Sequence, residues 1–418
     1  MNITIVNHAD PETQHVSGMR AWFFANQLAT MGHRVVEICE ARGDKTSRSF
    51  EAPVAMMHSL ADHDWRLPFL LAVRAEHDRL SYWIRSTRTP AVIRKSLVAY
   101  SFLGRGGVYS DFSRAVIPYL AHLAREFKPD IVWGIYLDSD CWLISQRLAR
   151  LAGCPWVGDM KDSWDAFVPL PLRGLLALRF RNMAACTANS EFNARVLEHR
   201  FRRSPTVVYS GVDGAFTDFD SRESGTLPTN FRLTVTGGLY SGANVDRFVS
   251  GLRRWLATAS KGPSGAQLSE IEIFYAGANC AVAEAKLGSL RDVARVHVHG
   301  YLPLPQLAAL CRSATANAYM WCPSGFHHKL LELLACGRPV IAFPGESDES
   351  RRLADRCRGD LRCPVDEEKL ADTLEELRVN CPASASGQAT SPEFSWAAQA
   401  RMLESVLART VAECAGKR

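Results

Sequence analysis

The chain has 418 residues, a formal net charge of +5 and twelve cysteines. At ~150 residues per domain this length favours two or three domains, and so modest a charge does not by itself indicate nucleic-acid binding. No two cysteines form a C-x-x-C pair, so the spacing excludes a zinc-finger pattern and indicates no disulfide framework. No run reaches the ~18–20 apolar residues of a membrane-spanning helix, and the chain opens on a strand pattern, so we expect a cytoplasmic protein.

The first forty residues predict a βαβ unit. Residues 3–6 read as a strand, an amphipathic helix carrying Trp22 and Leu28 follows, and residues 35–38 read as a second strand. Strand, helix and strand in this order imply a parallel sheet with a right-handed crossover. The same alternation continues along the chain, so the sequence predicts an α/β protein.

Residues 60–115 differ from the rest because aromatic and aliphatic side chains interleave with basic ones. This pattern suits an anionic membrane surface or an anionic lipid-linked acceptor, and it suits nucleic acid equally. The alternative is a helical insertion whose basic face is merely solvated. We expect a helical insertion with exposed aromatics at about 60–115, in which residues 65–105 are the candidate membrane surface.

Two acidic motifs lie at predicted strand ends. Asp138 and Asp140 spell a D-x-D motif, whose two carboxylates can chelate a metal, but acidic residues are also favoured in a first helical turn, so we assign no metal. Asp159 and Asp162 end the strand that begins at Trp156. The carboxyl end of a parallel strand borders the ligand crevice of an open sheet, which makes both carboxylates catalytic candidates.

A polar segment at 214–230 is a predicted linker to a second domain. Strands at 233–236 and 271–277 open that domain, and Gly238 and Gly277 at their ends are candidates to contact a phosphate group. Residues 324–343 then read as a glycine turn, a helix, a tight turn at Gly337 and a buried strand.

The start of that helix has the features of an anion site. Loop amides before a helix bind anions readily, and Lys329 in the first turn opposes the helix dipole unless an anion is bound there. Glu332, one turn further on, can accept two hydrogen bonds from the hydroxyls of a ribose. A diphosphate beside a ribose is half of a nucleotide-sugar.

Residues 324–343 resemble the donor site of GT-B glycosyltransferases, in particular the retaining transferases called family four or glycosyl transferases group 1. The matching residues are Gly325, Phe326, Glu332, Ala335, Gly337, Pro339 and Val340, while Ser324 stands where that family usually has a glutamate. Residues 156–164 resemble the D-x-K/R-D-x-W motif of a subset of the family. Residues 206–216 resemble its P-N-G-V-D turn, with Ser210 replacing asparagine.

The resemblance implies two Rossmann-like domains with parallel sheets facing an interdomain cleft. The implied boundaries are an acceptor domain at 1–213, the linker at 214–230, a donor domain at 231–395, and a C-terminal helix at 396–418 that crosses back to the first domain. The family usually holds the diphosphate with a basic pair near Leu239, which is absent here. That role passes to Lys329, helped by His327 or His328.

The implied activity is transfer of a sugar from a nucleotide-diphosphate sugar to a hydroxyl, with retention and without a metal or other cofactor, in polysaccharide or glycolipid synthesis. The acceptor would be a carbohydrate, a lipid-linked molecule or a small molecule, and we expect no nucleic acid. A nucleotide-sugar epimerase and a non-catalytic binding or scaffold protein are the alternatives. The candidate catalytic residues are Asp159, Asp162 and Lys329. The candidate donor-binding residues are Gly18, Gly238, Gly277, Ser324, Gly325, Phe326, His327, His328, Lys329 and Glu332.

Overall fold

The protein is described by a computed structural model that covers the chain except residues 12–15, 42–52, 77, 87, 109, 218–229, 240, 260–270, 324–325, 381–390 and 417–418. The chain divides into two compact units. Unit 1 comprises Met1–Ser210 and Trp396–Arg418, and unit 2 comprises Gly211–Ser395.

Unit 1 is built on a seven-stranded sheet in which neighbouring strands pair in parallel, in the order β3-β2-β1-β4-β5-β6-β7. Its strands are β1 (Asn2–Ala9), β2 (Arg34–Glu40), β3 (Phe69–Val73), β4 (Ile131–Tyr136), β5 (Trp156–Met160), β6 (Ala185–Ala188) and β7 (Thr206–Val207). The central strands are apolar and buried on both faces, as parallel strands covered by helices must be.

The helices of unit 1 cover both faces of this sheet. They are α1 (Val16–Thr30), α2 (Pro53–Ala61), α3 (Arg79–Arg85), α4 (Ala91–Arg105), α5 (Asp111–His122), α6 (Ser139–Ala152), α7 (Trp164–Phe167), α8 (Leu170–Arg179) and α9 (Glu191–Phe201). Several start at side-chain caps. Asp138 accepts a hydrogen bond from the Asp140 amide at the start of α6, and Ser190 accepts one from the Asn193 amide at the start of α9.

The prediction of a wholly helical insertion at 60–115 is wrong at residues 69–73, which form β3. This strand pairs in parallel with β2, and Phe69 is buried. Residues 69–73 are five consecutive apolar residues, and they can form a strand that is buried on both faces. The basic and aromatic residues around them favoured the prediction of a helical segment. Trp65 is also not free on the surface, because it stacks on Phe127 and lies under the guanidinium of Arg34.

Unit 2 contains a second parallel sheet, of six strands in the order β10-β9-β8-β11-β12-β13. The strands are β8 (Phe231–Thr236), β9 (Ile271–Ala276), β10 (Arg295–His299), β11 (Ala316–Met320), β12 (Val340–Phe343) and β13 (Leu361–Arg362). The helices are α10 (Gly214–Thr217), α11 (Gly242–Ala259), α12 (Cys280–Leu287), α13 (Leu304–Arg312), α14 (Lys329–Ala335), α15 (Asp348–Arg356) and α16 (Glu367–Val379).

The predicted linker at 214–230 begins with α10, and its residues 218–229 lie outside the described residues. The chain re-enters unit 1 as α17 (Trp396–Ala415), where Trp396 stacks on Phe23 and Leu403 and Leu407 join the core against α1 and the sheet. None of the helices in the described part of the chain is long and apolar enough to span a bilayer.

Candidate functional site

The segment between β11 and β12 places three of the predicted donor residues side by side. Lys329 is the first residue of α14, and its Nζ forms a very short contact with the Glu332 carboxylate. The other Glu332 oxygen lies 3.5 Å from Nε2 of His328. Glu332 is buried, whereas the Lys329 side chain is 26% exposed.

The charges of this cluster stabilise one another. Burial opposes ionisation of Glu332, but Lys329 and His328 outweigh burial and lower its pKa to about 2. Burial likewise disfavours the Lys329 ammonium, but Glu332 outweighs it and raises the pKa of the lysine. At neutral pH the site therefore holds a carboxylate and an ammonium in contact. The carboxylate can accept hydrogen bonds from ligand hydroxyls, and the ammonium can bind a ligand anion.

The remaining predicted donor residues of this segment are His327, Phe326, Ser324 and Gly325. Burial lowers the pKa of His327, whose Nε2 lies 3.0 Å from the Cys322 amide nitrogen, so His327 is a neutral structural contact and adds no charge. Phe326 is half-buried. Ser324 and Gly325 lie outside the described residues. Helix α14 has only seven residues, so we do not count its N-terminus as a separate anion site. The positive charge of this site is that of Lys329.

Gly277 packs against the loop after β8 and leaves no room there for a side chain. A Cβ on Gly277 would lie 2.4 Å from the Gly237 carbonyl oxygen and 2.6 Å from the Tyr275 hydroxyl. That hydroxyl donates to the same carbonyl at 2.9 Å, and the Asn279 side chain accepts from the Leu239 amide at 2.9 Å. The network fixes the loop that contains the half-buried Gly238.

In unit 1, Asp159 at the end of β5 is fully buried in an ion pair with Arg20 of α1. Arg20 donates to both carboxylate oxygens, at 3.1 and 3.3 Å, and Thr187 donates to Oδ1 at 2.7 Å. The same guanidinium donates to the Ser210 hydroxyl at 3.1 Å. Asp159 therefore does not reach a substrate in this structure, and its geometry favours a positioning role.

Asp162 is the accessible carboxylate of the predicted catalytic pair. Its side chain is 24% exposed and accepts from Nζ of Lys161 at 3.2 and 3.3 Å. The Lys161 carbonyl in turn accepts from the Asn193 side chain at 2.9 Å. Asp162 can thus meet a ligand, whereas Asp159 cannot.

Gly18 lies in α1 and allows a close approach between segments of the backbone. A Cβ there would lie 2.6 Å from the Asp10 carbonyl oxygen, so this glycine lets α1 pack against the end of β1. Its predicted contact with a ligand stays a prediction.

Sequence reasoning missed a buried cluster at the carboxyl edge of the sheet in unit 1. His8 of β1 lies 2.6 Å from Glu40 of β2 through Nε2 and 3.0 Å from Asp138 through Nδ1. Burial disfavours its charged form, but Asp138 and Glu40 outweigh burial and raise the pKa of His8 to about 10. The signal in the sequence was a polar side chain near the end of each of three strands, β1, β2 and β4, which become neighbours in the sheet.

The same cluster contains a group that could ligate a metal. One atom each of His8, Asp138 and Cys141 lie within 4.8 Å of one another. A metal-bound imidazole needs a free lone pair on the ligating nitrogen. Both ring nitrogens of His8 contact carboxylates, which fits a protonated imidazole better than a metal ligand.

Most of unit 2 matches a known protein family. Residues 231–380 match the family described as Glycosyl transferases group 1. This segment contains Lys329, Glu332 and the glycines of the β8 and β9 loops, so the match supports the predicted family over residues 231–380. No curated protein matches the chain.

Solved structures resemble the chain over nearly its whole length. The HepE protein of Anabaena in complex with UDP and glucose aligns with a TM-score of 0.61 at 15% identity, over 97% of this chain and 99% of that one. Sucrose-phosphate synthase of Thermosynechococcus elongatus aligns with a TM-score of 0.68 at 14% identity, over 98% and 99%. A glycosyltransferase of Rickettsia africae aligns with a TM-score of 0.63 at 13% identity, over 98% of each chain. The predicted fold class, α/β with two Rossmann-like domains of the GT-B type, is confirmed.

Proposed function

We propose that this protein transfers a sugar from a nucleotide-diphosphate donor to an acceptor hydroxyl, and that unit 2 binds the donor through Lys329 and Glu332. The observation that carries the proposal is that the match to glycosyl transferases group 1 spans the segment in which these two side chains meet. HepE is described in complex with UDP-glucose, which makes uridine diphosphate sugars the first donors to test.

The paired charges suggest how the donor would be held. As the bond to the sugar breaks, negative charge develops on the leaving diphosphate, and a fixed cation stabilises it. Glu332 neutralises Lys329 in the free protein. A diphosphate would compete for the ammonium and leave the carboxylate to accept hydrogen bonds from ribose hydroxyls.

In unit 1 we assign the two aspartates different roles. Asp162, half-buried beside Lys161, would orient the acceptor hydroxyl or contact the donor sugar. Asp159 would act through Arg20 as a positioning residue. Retention at the anomeric carbon, independence from metal, and a product in polysaccharide or glycolipid synthesis are parts of the proposal that rest on the resemblance of residues 156–164 and 324–343 to the retaining family.

The test combines donor binding with product analysis. A ligand that binds only the folded protein adds ~2.7 kcal/mol of stability at a hundredfold excess over its dissociation constant. We expect one nucleotide-sugar to raise the melting temperature and to be consumed only when an acceptor is present. Consumption without acceptor would indicate the epimerase, and stabilisation without any turnover would indicate the binding protein.

The matched variants are Lys329→Ala and Lys286→Ala. Lys286 is a partly exposed lysine of unit 2 in an ion pair with Asp246, so the control removes the same charge elsewhere on that unit. We expect Lys329→Ala to lower turnover by about 10²–10³, the scale for one lost oxyanion donor, and Lys286→Ala to leave it unchanged. Unchanged turnover in Lys329→Ala would remove the role given to this lysine.

A further inference from the structure

Three helices of unit 1 expose apolar side chains to solvent. They carry nine of the seventeen large apolar side chains that are exposed among the described residues, with exposures from 49% for Trp83 to 77% for Val92. The nine are Tyr82 and Trp83 of α3, Val92, Ile93, Tyr100 and Leu103 of α4, and Leu170, Leu175 and Leu178 of α8. We call this region the α3/α4/α8 surface.

The exposure on α4 is a stripe, and it faces away from the core. Val98 and Phe102 pack into unit 1, whereas Val92, Tyr100 and Leu103 follow i, i+8 and i+11 spacing on the opposite side. An ordinary surface helix has polar residues there. This helix is therefore apolar on its outer face as well as its inner face.

The same arrangement recurs on α8. Leu172 and Leu176 are buried, while Leu170, Gly174 and Leu178 follow i, i+4 and i+8 spacing on the outer side. Two apolar outer faces in one unit indicate a ligand that covers apolar surface.

The three helices are neighbours. Helices α3 and α4 pack against each other. Gly106, directly after α4, lies against the side chain of Arg179, the last residue of α8, because a Cβ on this glycine would be 2.8 Å from Nη2 of Arg179. The apolar stripes therefore belong to one region of unit 1.

The charged residues within these three helices are all basic, and three of them pair with acidic residues outside the helices: Arg85 with Asp111, Arg105 with Asp78 and Arg173 with Asp165. The three helices contain no acidic residue and seven basic ones, which are Arg79, Arg85, Arg94, Lys95, Arg105, Arg173 and Arg179. Within the described part of the chain, Arg94 and Lys95 form no ion pair. Basic side chains beside exposed Tyr, Trp and Leu match an interface with acidic headgroups above acyl chains.

We propose that the α3/α4/α8 surface docks on an anionic lipid bilayer. The binding is peripheral, with the aromatic and aliphatic side chains entering the headgroup region and the basic side chains meeting acidic lipids. Nucleic acid would satisfy the charges but not the leucines, and a purely apolar protein partner would satisfy the leucines but not the charges. The proposal is independent of the sugar-transfer reaction.

The experiment is flotation of the full chain with vesicles of phosphatidylcholine, alone or mixed with phosphatidylglycerol. The charge variant is Arg94→Gln with Lys95→Gln, and the apolar variant is Tyr100→Ser with Leu103→Ser. Their matched controls are Arg401→Gln with Arg409→Gln on the exposed side of α17, and Val365→Ser with Val379→Ser, both exposed in unit 2. Thermal melting of each variant checks that it is folded. We expect unchanged melting temperatures because the substitutions are at surface positions.

We expect binding only to vesicles that contain phosphatidylglycerol. Two lost charges should weaken it about thirtyfold, and the apolar variant should weaken it about tenfold or more, while both controls bind as the unaltered protein does. Equal binding to neutral vesicles, no binding to either, or equal losses in the controls would overturn the proposal. A lipid-free dimer that the Tyr100→Ser, Leu103→Ser variant abolishes would also overturn it, because the surface would then join two copies of the chain.

Discussion

Replacing Asp159 with asparagine removes the negative half of the ion pair buried in unit 1 and leaves the Arg20 guanidinium without a counter-charge. Both side chains have no solvent exposure, and the carboxylate accepts two hydrogen bonds from Arg20 and one from Thr187. At ~1.5–3 kcal/mol for each charge-assisted bond, and because an isolated buried charge is penalised, we expect a loss of about 3–5 kcal/mol in the free energy of unfolding.

The matched control is Asp165→Asn. Asp165 pairs with Arg173 and Arg200 at 3.3 and 3.2 Å but is 39% exposed, so its loss should stay below about 1 kcal/mol. Replacing both buried partners, with Arg20→Met and Asp159→Leu, should give a protein at least ~2 kcal/mol more stable than either single variant, because no unpaired charge remains.

Urea unfolding followed by tryptophan fluorescence measures this effect in the correct unit, since eight of the ten tryptophans lie in unit 1 and only Trp255 and Trp321 lie in unit 2. A loss below about 1 kcal/mol for Asp159→Asn, or a double variant no more stable than the worse single one, would refute the reasoning. If the double variant regained stability but had lost sugar transfer, the ion pair would be needed for activity as well as stability, as a positioning role requires.

Three further predictions concern stability. The free energy of unfolding should fall as pH rises from 6.5 towards about 10, because the raised pKa of His8 stabilises the fold only while the ring is protonated. Urea titrations at a series of pH values should show that His8→Gln loses most of this pH dependence. A pH dependence identical to that of the unaltered protein would exclude His8 as its source. Lys329→Ala should lower the free energy of unfolding by about 1–3 kcal/mol, in addition to lowering turnover, because Glu332 keeps a buried charge without its partner. Adding Glu332→Gln should restore the melting temperature but not donor binding. Restored donor binding would show that the pair is only structural. Gly277→Ala should cost about 1–3 kcal/mol by forcing a Cβ onto the Gly237 carbonyl, and unchanged melting would mean that the loop adapts freely.

The helix-to-strand segment of unit 2 could be predicted because its signals are local. Leu330, Leu333 and Leu334 define one buried face, and Gly337 adopts the left-handed backbone (φ 67°) expected after a helix end. The meeting of Lys329 and Glu332 also follows from helical spacing, since residues three apart share a face.

Contacts between distant segments could not be predicted in this way. Asp159 at a strand end read as a ligand-facing carboxylate, but its partner Arg20 is 139 residues away and turns it into the core. The His8 cluster depends on the sheet order β2-β1-β4, which brings three strand ends together and which hydrophobic periodicity does not specify. Residues 69–73 were misassigned because an apolar run of five can be a strand or a helix segment.

Unit 1 is assembled from two stretches of chain separated by the whole of unit 2, and this separation governs the order in which the protein can fold during synthesis. The ribosome completes residues 211–395 before it makes α17, so unit 2 can fold while unit 1 still lacks Trp396, Leu403 and Leu407. Until those side chains arrive, Phe24 and its neighbours on that face of the first sheet remain uncovered. That face of unit 1 therefore stays open to aggregation until α17 has been synthesised.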